Sequence, residues 1–280
     1  MSQQRTSGVV VTRKVAIADP PETSEANPIH GAEGAAAAGY AGALVAGIHT
    51  YGWTCTAILE TFGDRWLDDG WADVSYRRPV YPGTLLETTV ACEGEEADVR
   101  TALADEGTVV LDGRAGLGRA PWFDQLERPE LTVPEPPVPP DELVRMRLAD
   151  APVGRDYRPM EVDATVAFGR AWAATRLEDL DSRWHAGDHP RLHPSFLAGR
   201  MTPLFRHSYR YGPAIHVRTQ IQHLAPARAG QRLVVTARLH AAYERKGHHY
   251  HESDCWILGE DGTPLAAKRH TGIFQLGARG

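Results

Sequence analysis

Apolar residues recur at three- and four-residue steps from Gly47 to Phe62, where Ile48, Tyr51, Cys55, Ile58, Leu59 and Phe62 share one face. That spacing predicts an amphipathic helix, and Gly63 stands where a C-terminal cap glycine belongs. Elsewhere the pattern shortens to period two or to β-branched runs, which predict strands over Val9–Ala18, Trp71–Tyr81, Leu85–Cys92, Val99–Leu103 and Val109–Leu117. A short Ala-rich helix, broken by glycines, fits Gly31–Gly39. The second half repeats the order. Met160–Ala167 reads as a strand, and Pro194–Tyr209 as a helix that Pro203 should kink. Four strands follow, over Ile215–Leu224, Arg232–Tyr243, His249–Leu258 and Leu265–Leu276.

A loop motif ties the halves together. Pro79, Gly83, Leu86 and Thr89 match Pro226, Gly230, Leu233 and Thr236, each pair 147 residues apart and each set lying between two strand-like runs. We read an internal duplication of one helix-plus-sheet unit. The units are expected at residues 1–120 and 141–280, with the proline-rich stretch 121–140 as an extended, stiff linker. An apolar helix followed by antiparallel strands suggests an α+β unit whose sheet curls round its helix, two such units sharing one continuous sheet.

Composition narrows the function classes. Thirty basic residues against 36 acidic give a formal charge of -6, and no basic stripe is visible, which argues against a nucleic-acid partner. The three cysteines, Cys55, Cys92 and Cys255, are far apart and lack CxxC spacing. They suggest a reducing cytoplasm rather than a disulfide framework or a zinc site. Met1–Arg13 is polar, unlike a signal peptide, and no apolar run approaches the roughly 20 residues that span a bilayer. A soluble, cytoplasmic protein is expected, with no membrane partner.

The candidate chemistry lies in Glu25-Ala26-Asn27-Pro28-Ile29-His30, which sets an acid, an amide and an imidazole round a proline. On spacing alone, Asn27 could be a helix N-cap, Pro28 the first helical residue and Glu25 a solvated acid. His185, His189 and His193 are four apart, but Gly187 and Pro190 break any helix, so a solvated loop is expected. His249 and His251 alternate onto one strand face, read here as an outer face or an interface. No phosphate loop, serine nucleophile elbow or Cys/His pairing stands out.

Three stretches carry a family resemblance: Glu25-x-Asn27-Pro28-Ile29-His30, Gly39-Tyr40-Ala41-Gly42-Ala43-Leu44-Val45-Ala46-Gly47, and Arg78-Pro79-Val80-Tyr81-Pro82-Gly83-Thr84-Leu85. They resemble the MaoC-like acyl dehydratases and (R)-specific enoyl-thioester hydratases. Tyr211–Val217 and Glu244–His248 are similar to the C-terminal part of two-domain members. The chain departs by having Glu25 for the family's usual Asp, and Ala46-Gly47 where His-Gly is common. The resemblance implies a double hot-dog fold and a lyase that hydrates or dehydrates an acyl thioester. The substrate would ride on coenzyme A or an acyl carrier protein, with no metal or nicotinamide cofactor. It makes Glu25 and His30 the acid/base pair, Asn27 a positioning residue and the Gly47 N–H the oxyanion donor. By position, His49 and Tyr51 could line the groove between the units or belong to the core or an interface, and His216 could line the same groove or be structural. One active site per chain is expected, in the first half, the second half acting as scaffold. The chain would be a pseudo-dimer that could itself pair as a homodimer. Two alternatives stand beside this reading: a cyclase adding a substrate hydroxyl to an enoyl chain, and a non-catalytic acyl-binding protein.

Overall fold

Both motif glycines hold the left-handed backbone their loops require, Gly83 at φ 85° and Gly230 at φ 91°. Each N–H closes the same hydrogen bond, Gly83 to Ala16 O and Gly230 to Ala164 O, both at 2.7 Å. The structure, a computed structural model, describes residues 7–277. The first six residues of the polar N-terminal stretch read above lie outside it.

One antiparallel sheet of ten strands carries both halves. In chain order the strands are β1 Ser7–Val15, β2 Gly70–Tyr76, β3 Leu85–Glu93, β4 Glu96–Leu103, β5 Val109–Leu117, β6 Met160–Ala164, β7 Ile215–His223, β8 Gln231–Arg245, β9 His248–Leu258 and β10 Pro264–Gln275. Their spatial order is β1-β3-β4-β5-β2-β7-β10-β9-β8-β6. That order reads as one five-strand arrangement and its mirror, joined through β2 and β7. At the join Asp73 faces Gln220, and these two residues are themselves 147 apart. The offset found in the loops therefore also marks the pseudo-twofold axis of the sheet.

The helices are α1 Pro21–Ala26, α2 Ala32–Ala37, α3 Gly47–Phe62, α4 Trp66–Asp69, α5 Val166–Leu177, α6 Ser182–His185, α7 Pro194–Ala198 and α8 Met201–Ser208. Helix α3 is the expected central helix, and His49 to Cys55 are buried without a break. It is wrapped because the second half's helices close its other side. A Cβ on Gly52 would lie 2.6 Å from a Leu177 methyl of α5 and 3.1 Å from Ser195 Oγ of α7, so glycine permits this close approach. The second central helix was expected to kink at Pro203. It breaks at Gly199–Arg200, between α7 and α8. Gly199 is the residue whose carbonyl the Pro203 ring would strike four positions on, and whose hydrogen bond Pro203 has no N–H to make.

The proline-rich stretch crosses the outer face of the sheet. Phe123 and Leu126 pack on Trp71, Trp256, Leu258 and Ala267. The backbone is pinned where Glu130 and Leu131 donate to Asp156 and Glu135 donates to Pro159 O. This cover explains why Ser253 to Leu258 in β9 are buried on both faces rather than alternating. The three cysteines are all buried. No helix among the described residues is long and apolar enough to cross a membrane.

Candidate active site

The chain between β1 and α3 folds back over the start of the central helix, and one buried carboxylate organises it. Asp19 follows β1, its side chain only 3% exposed. Oδ2 accepts the Ala46 N–H at 2.7 Å, Oδ1 lies 2.6 Å from His49 Nδ1, and Oδ2 lies 3.2 Å from His30 Nδ1. A buried carboxylate needs such partners, and the start of a helix favours its charge. Asp19 thus holds two imidazoles by the same edge.

His30 closes the short 3-10 turn Pro28–His30 that Asn27 and Pro28 begin. Its Nδ1 also lies 2.8 Å from Leu44 O, an acceptor only, so Nδ1 carries the proton. Its Nε2 lies 3.3 Å from Asn27 Nδ2, a donor only, which selects the same tautomer. The unprotonated Nε2 is therefore the basic edge. Burial lowers the pKa of His30 below the usual imidazole value, and the Leu44 carbonyl and Asp19 oppose that shift only in part. The Asn27 amide spans the two halves: Nδ2 donates to Ala214 O at 2.8 Å and Oδ1 accepts the Ala214 N–H at 3.3 Å.

A cavity of about 560 Å³ opens in front of these groups, lined from the first half by Asn27, His30, Gly47, His49 and Tyr76 among others. Gly47 is the first residue of α3, so its N–H has no partner within the helix. A Cβ there would sit 3.1 Å from the Tyr76 ring and 3.5 Å from His216 Cβ. His216 closes this wall from the second half, its ring 4.6 Å from that of Tyr76 and its Nε2 2.7 Å from Thr219 Oγ1. Burial pushes the His216 imidazole well below its usual pKa.

Of the residues singled out in the sequence, the structure brings Asn27, His30, Gly47, His49 and His216 to one cavity. It leaves two out. Tyr51 is fully buried in the core and is not a lining residue. Glu25 lies exposed on α1, also outside the lining. Glu22, Thr23 and Ala26 take the cavity face of that helix. The carboxylate that meets His30 is Asp19, eleven residues upstream rather than five. Sequence reading missed it because Asp19-Pro20-Pro21 has the form of a strand-ending turn. His251, expected on an outer face or an interface, is buried and lines the cavity. The face of β9 it shares with His249 turns inward, against Phe205 and Phe274.

No protein-family model and no curated protein matches the chain. Solved structures do. A putative MaoC domain protein dehydratase from Chloroflexus aurantiacus aligns over 99% of this chain and 97% of its own, with TM-score 0.65 and 15% identity. A structure titled MaoC-like dehydratase aligns over 95% and 98%, with TM-score 0.61 and 13% identity. A conserved hypothetical protein from Mycobacterium tuberculosis, described as having a double hotdog fold, aligns over 95% and 96%, with TM-score 0.58 and 12% identity. The chain has the double hot-dog fold. The mirrored order of the ten strands is that fold's duplication, with α3 as the helix inside the first wrap and α7–α8 inside the second. In this double hot dog, the cavity lies where the two wraps meet.

Proposed function

We propose that the protein is a hydro-lyase that reversibly adds water to a 2-enoyl thioester. The observation that carries this reading is the Asp19–His30–Asn27 constellation beside the free N–H at the start of α3. Neutral His30 accepts a proton from water at Nε2 while the water oxygen bonds to C3 of the enoyl group. The imidazolium formed lies against the Asp19 carboxylate, which stabilises it. Negative charge moves to the thioester oxygen, where the Gly47 N–H and the positive end of the helix receive it. The proton is then delivered to C2, which completes the addition. Run backwards, the same steps dehydrate a 3-hydroxyacyl thioester. His49, held by the same carboxylate, fixes Asp19 and forms part of the wall. Coenzyme A or an acyl carrier protein would present the thioester.

The test is crotonyl-thioester hydration, followed by loss of enoyl absorbance. His30→Ala should lower kcat by about 10²–10⁴, the usual worth of a positioned general base. Because burial lowers the His30 pKa, the base stays neutral into mildly acidic solution. The rate should therefore hold at neutral pH and fall only as the pH drops below about 6.5, the ordinary imidazole value. A His30→Ala variant with wild-type kcat would sink this assignment.

A further inference from the structure

The far wall of the cavity, built by the second half, is cationic, and among the described residues no carboxylate of that half lines it. Arg200 stands at the break between α7 and α8, lines the cavity and is 5% exposed. Its Nε donates to Phe196 O at 2.8 Å, and its guanidinium lies over the Phe196 ring at 4.1 Å and the Trp172 ring at 5.0 Å. Among the described residues no carboxylate pairs with it; the ionisable neighbours acting on it are Arg176 and the Cys255 thiol. Arg176 has its own partner in Glu22, at 2.8 Å. Behind Arg200 lies Lys268, wholly buried, whose Nζ donates to Ala198 O and lies 3.3 Å from His270 Nδ1. Among the described residues no carboxylate pairs with Lys268 either, and burial pushes its ammonium down to about 8. Burial raises the Cys255 thiol to about 12, so it supplies no negative charge at neutral pH. A buried cation without a counter-ion is strongly unfavourable unless something else supplies the charge.

The space beside these cations is kept open. If Lys268 donates to His270 Nδ1, His270 carries its proton on Nε2. A Cβ on Gly272 would lie 2.9 Å from His270 Nε2 and 2.7 Å from His251 Nε2. Gly272 does not have the left-handed backbone that demands glycine, so the missing side chain preserves room in front of two imidazoles. Tyr211 also lines the cavity, and its buried hydroxyl has no hydrogen-bond partner among the described residues. Burial holds both imidazoles neutral, His251 at about 3 and His270 well below the usual value. They can donate hydrogen bonds without adding charge. With the ring faces of the guanidinium covered, its edge remains, and that planar fork matches a carboxylate.

We propose that the acyl group bound here carries a carboxylate, received by Arg200 with His251, His270 and the Tyr211 hydroxyl. The substrate class is then a dicarboxylic enoyl thioester, a deepening that rests on the acyl-thioester reading above.

Binding tests this without turnover. Hydrolysis-resistant thioether analogues of succinyl- and butyryl-coenzyme A, which differ by a carboxylate in place of a methyl, would be titrated calorimetrically into the full chain. The wild type should bind the succinyl analogue about tenfold or more tightly, the worth of one hydrogen-bonded charge. Arg200→Met should bring the ratio to about one, and Arg200→Lys should recover part of it. Should Arg200→Met not fold, Gly272→Val, which fills the space before the imidazoles, should also erase the preference. Equal binding by the wild type, or a ratio unchanged in a folded Arg200→Met or Gly272→Val, overturns the proposal. Preference for succinyl with no turnover of crotonyl or fumaryl thioesters would keep this carboxylate site and remove the lyase reading. Turnover without preference would do the reverse.

Discussion

The two central helices start in different ways. In the first half, Ala46 precedes α3 and gives its N–H to Asp19, and Gly47 opens the helix on a cavity with an N–H that pairs with no described residue. In the second half, 147 residues on, His193 precedes α7 and Pro194 opens it. Proline has no N–H to offer. His193 is buried, its Nδ1 accepting the Ser195 N–H at 3.1 Å and its Nε2 facing Asp179 at 3.6 Å. The preceding chain differs as well. Residues 16–46 form the six-residue helices α1 and α2 and the 3-10 turn between them, which hold Asn27 and His30 at the cavity, whereas residues 165–193 include the twelve-residue α5, which packs Trp172, Ala173 and Leu177 inward. One duplicated frame thus offers an unsatisfied helix start at one end and a satisfied one at the other. A helix N-terminus can stabilise developing negative charge only where its N–H groups are left unused.

The sharpest way to break this contrast is to give the first helix the second one's residue. Gly47→Pro removes the N–H while keeping a residue suited to the first helical position, and Ala46 already has the extended backbone that must precede proline (φ -59°, ψ 129°). We expect kcat for thioester hydration to fall by about 10²–10³, the usual cost of one oxyanion donor. Gly47→Ala is the control, because it keeps the N–H and adds only a methyl 3.1 Å from the Tyr76 ring. Equal kcat in the two variants would show that crowding, not the donor, matters here.

The converse change belongs to the second half and should read out as stability. Burial pushes the Asp179 carboxyl up, but the facing His193 and the Asp181 N–H outweigh it and hold the group at about 2. A carboxylate depressed in this way stabilises the fold above about pH 4, and the contribution fades as pH falls towards 2. His193→Ala removes the helix cap and this contact together, and should cost about 2 kcal/mol. Urea unfolding at pH 7 and pH 3 checks it, the wild-type advantage shrinking at the lower pH. An equal difference at both pH values would mean that only packing was lost.

How far the sequence could show this depended on the range of each interaction. Local periodicity gave α3 and all ten strands, and the 147-residue offset anticipated the axis that the Asp73–Gln220 pair marks in the sheet. Helix α5 was missed because Gly169, Arg170, Thr175 and Arg176 interrupt its apolar face. Asn27 and His30 were legible because three residues separate them and one proline positions both. Arg200, His251 and His270 were not. They meet the first half only through the closed sheet, and no spacing along the chain records that. Asp19 lies between these cases. It is close in sequence, but its meaning depends on His49 and Ala46, which α3 brings to it.

Glu25 tests the limit of reading a site by alignment, and it should give the smallest effect. Its position five residues before His30 makes it the carboxylate of the motif, yet α1 decides where it points. Each helical residue turns by about 100°, so a helix that presents Glu22, Thr23 and Ala26 to the cavity carries Glu25 off that face. Glu25 is exposed, and its carboxylate makes no hydrogen bond or ion pair with any described residue. Glu25→Gln should therefore keep kcat/KM for hydration within about twofold of wild type, the scale of an ordinary surface change. Asp19→Asn should behave otherwise, since the amide can no longer accept from both imidazoles and the Ala46 N–H as a charged group. Measured side by side, the two single changes weigh a carboxylate placed by motif against one placed by the fold. A hundredfold loss in Glu25→Gln with Asp19→Asn near wild type would mean that α1 unwinds when substrate binds, returning the motif glutamate to His30.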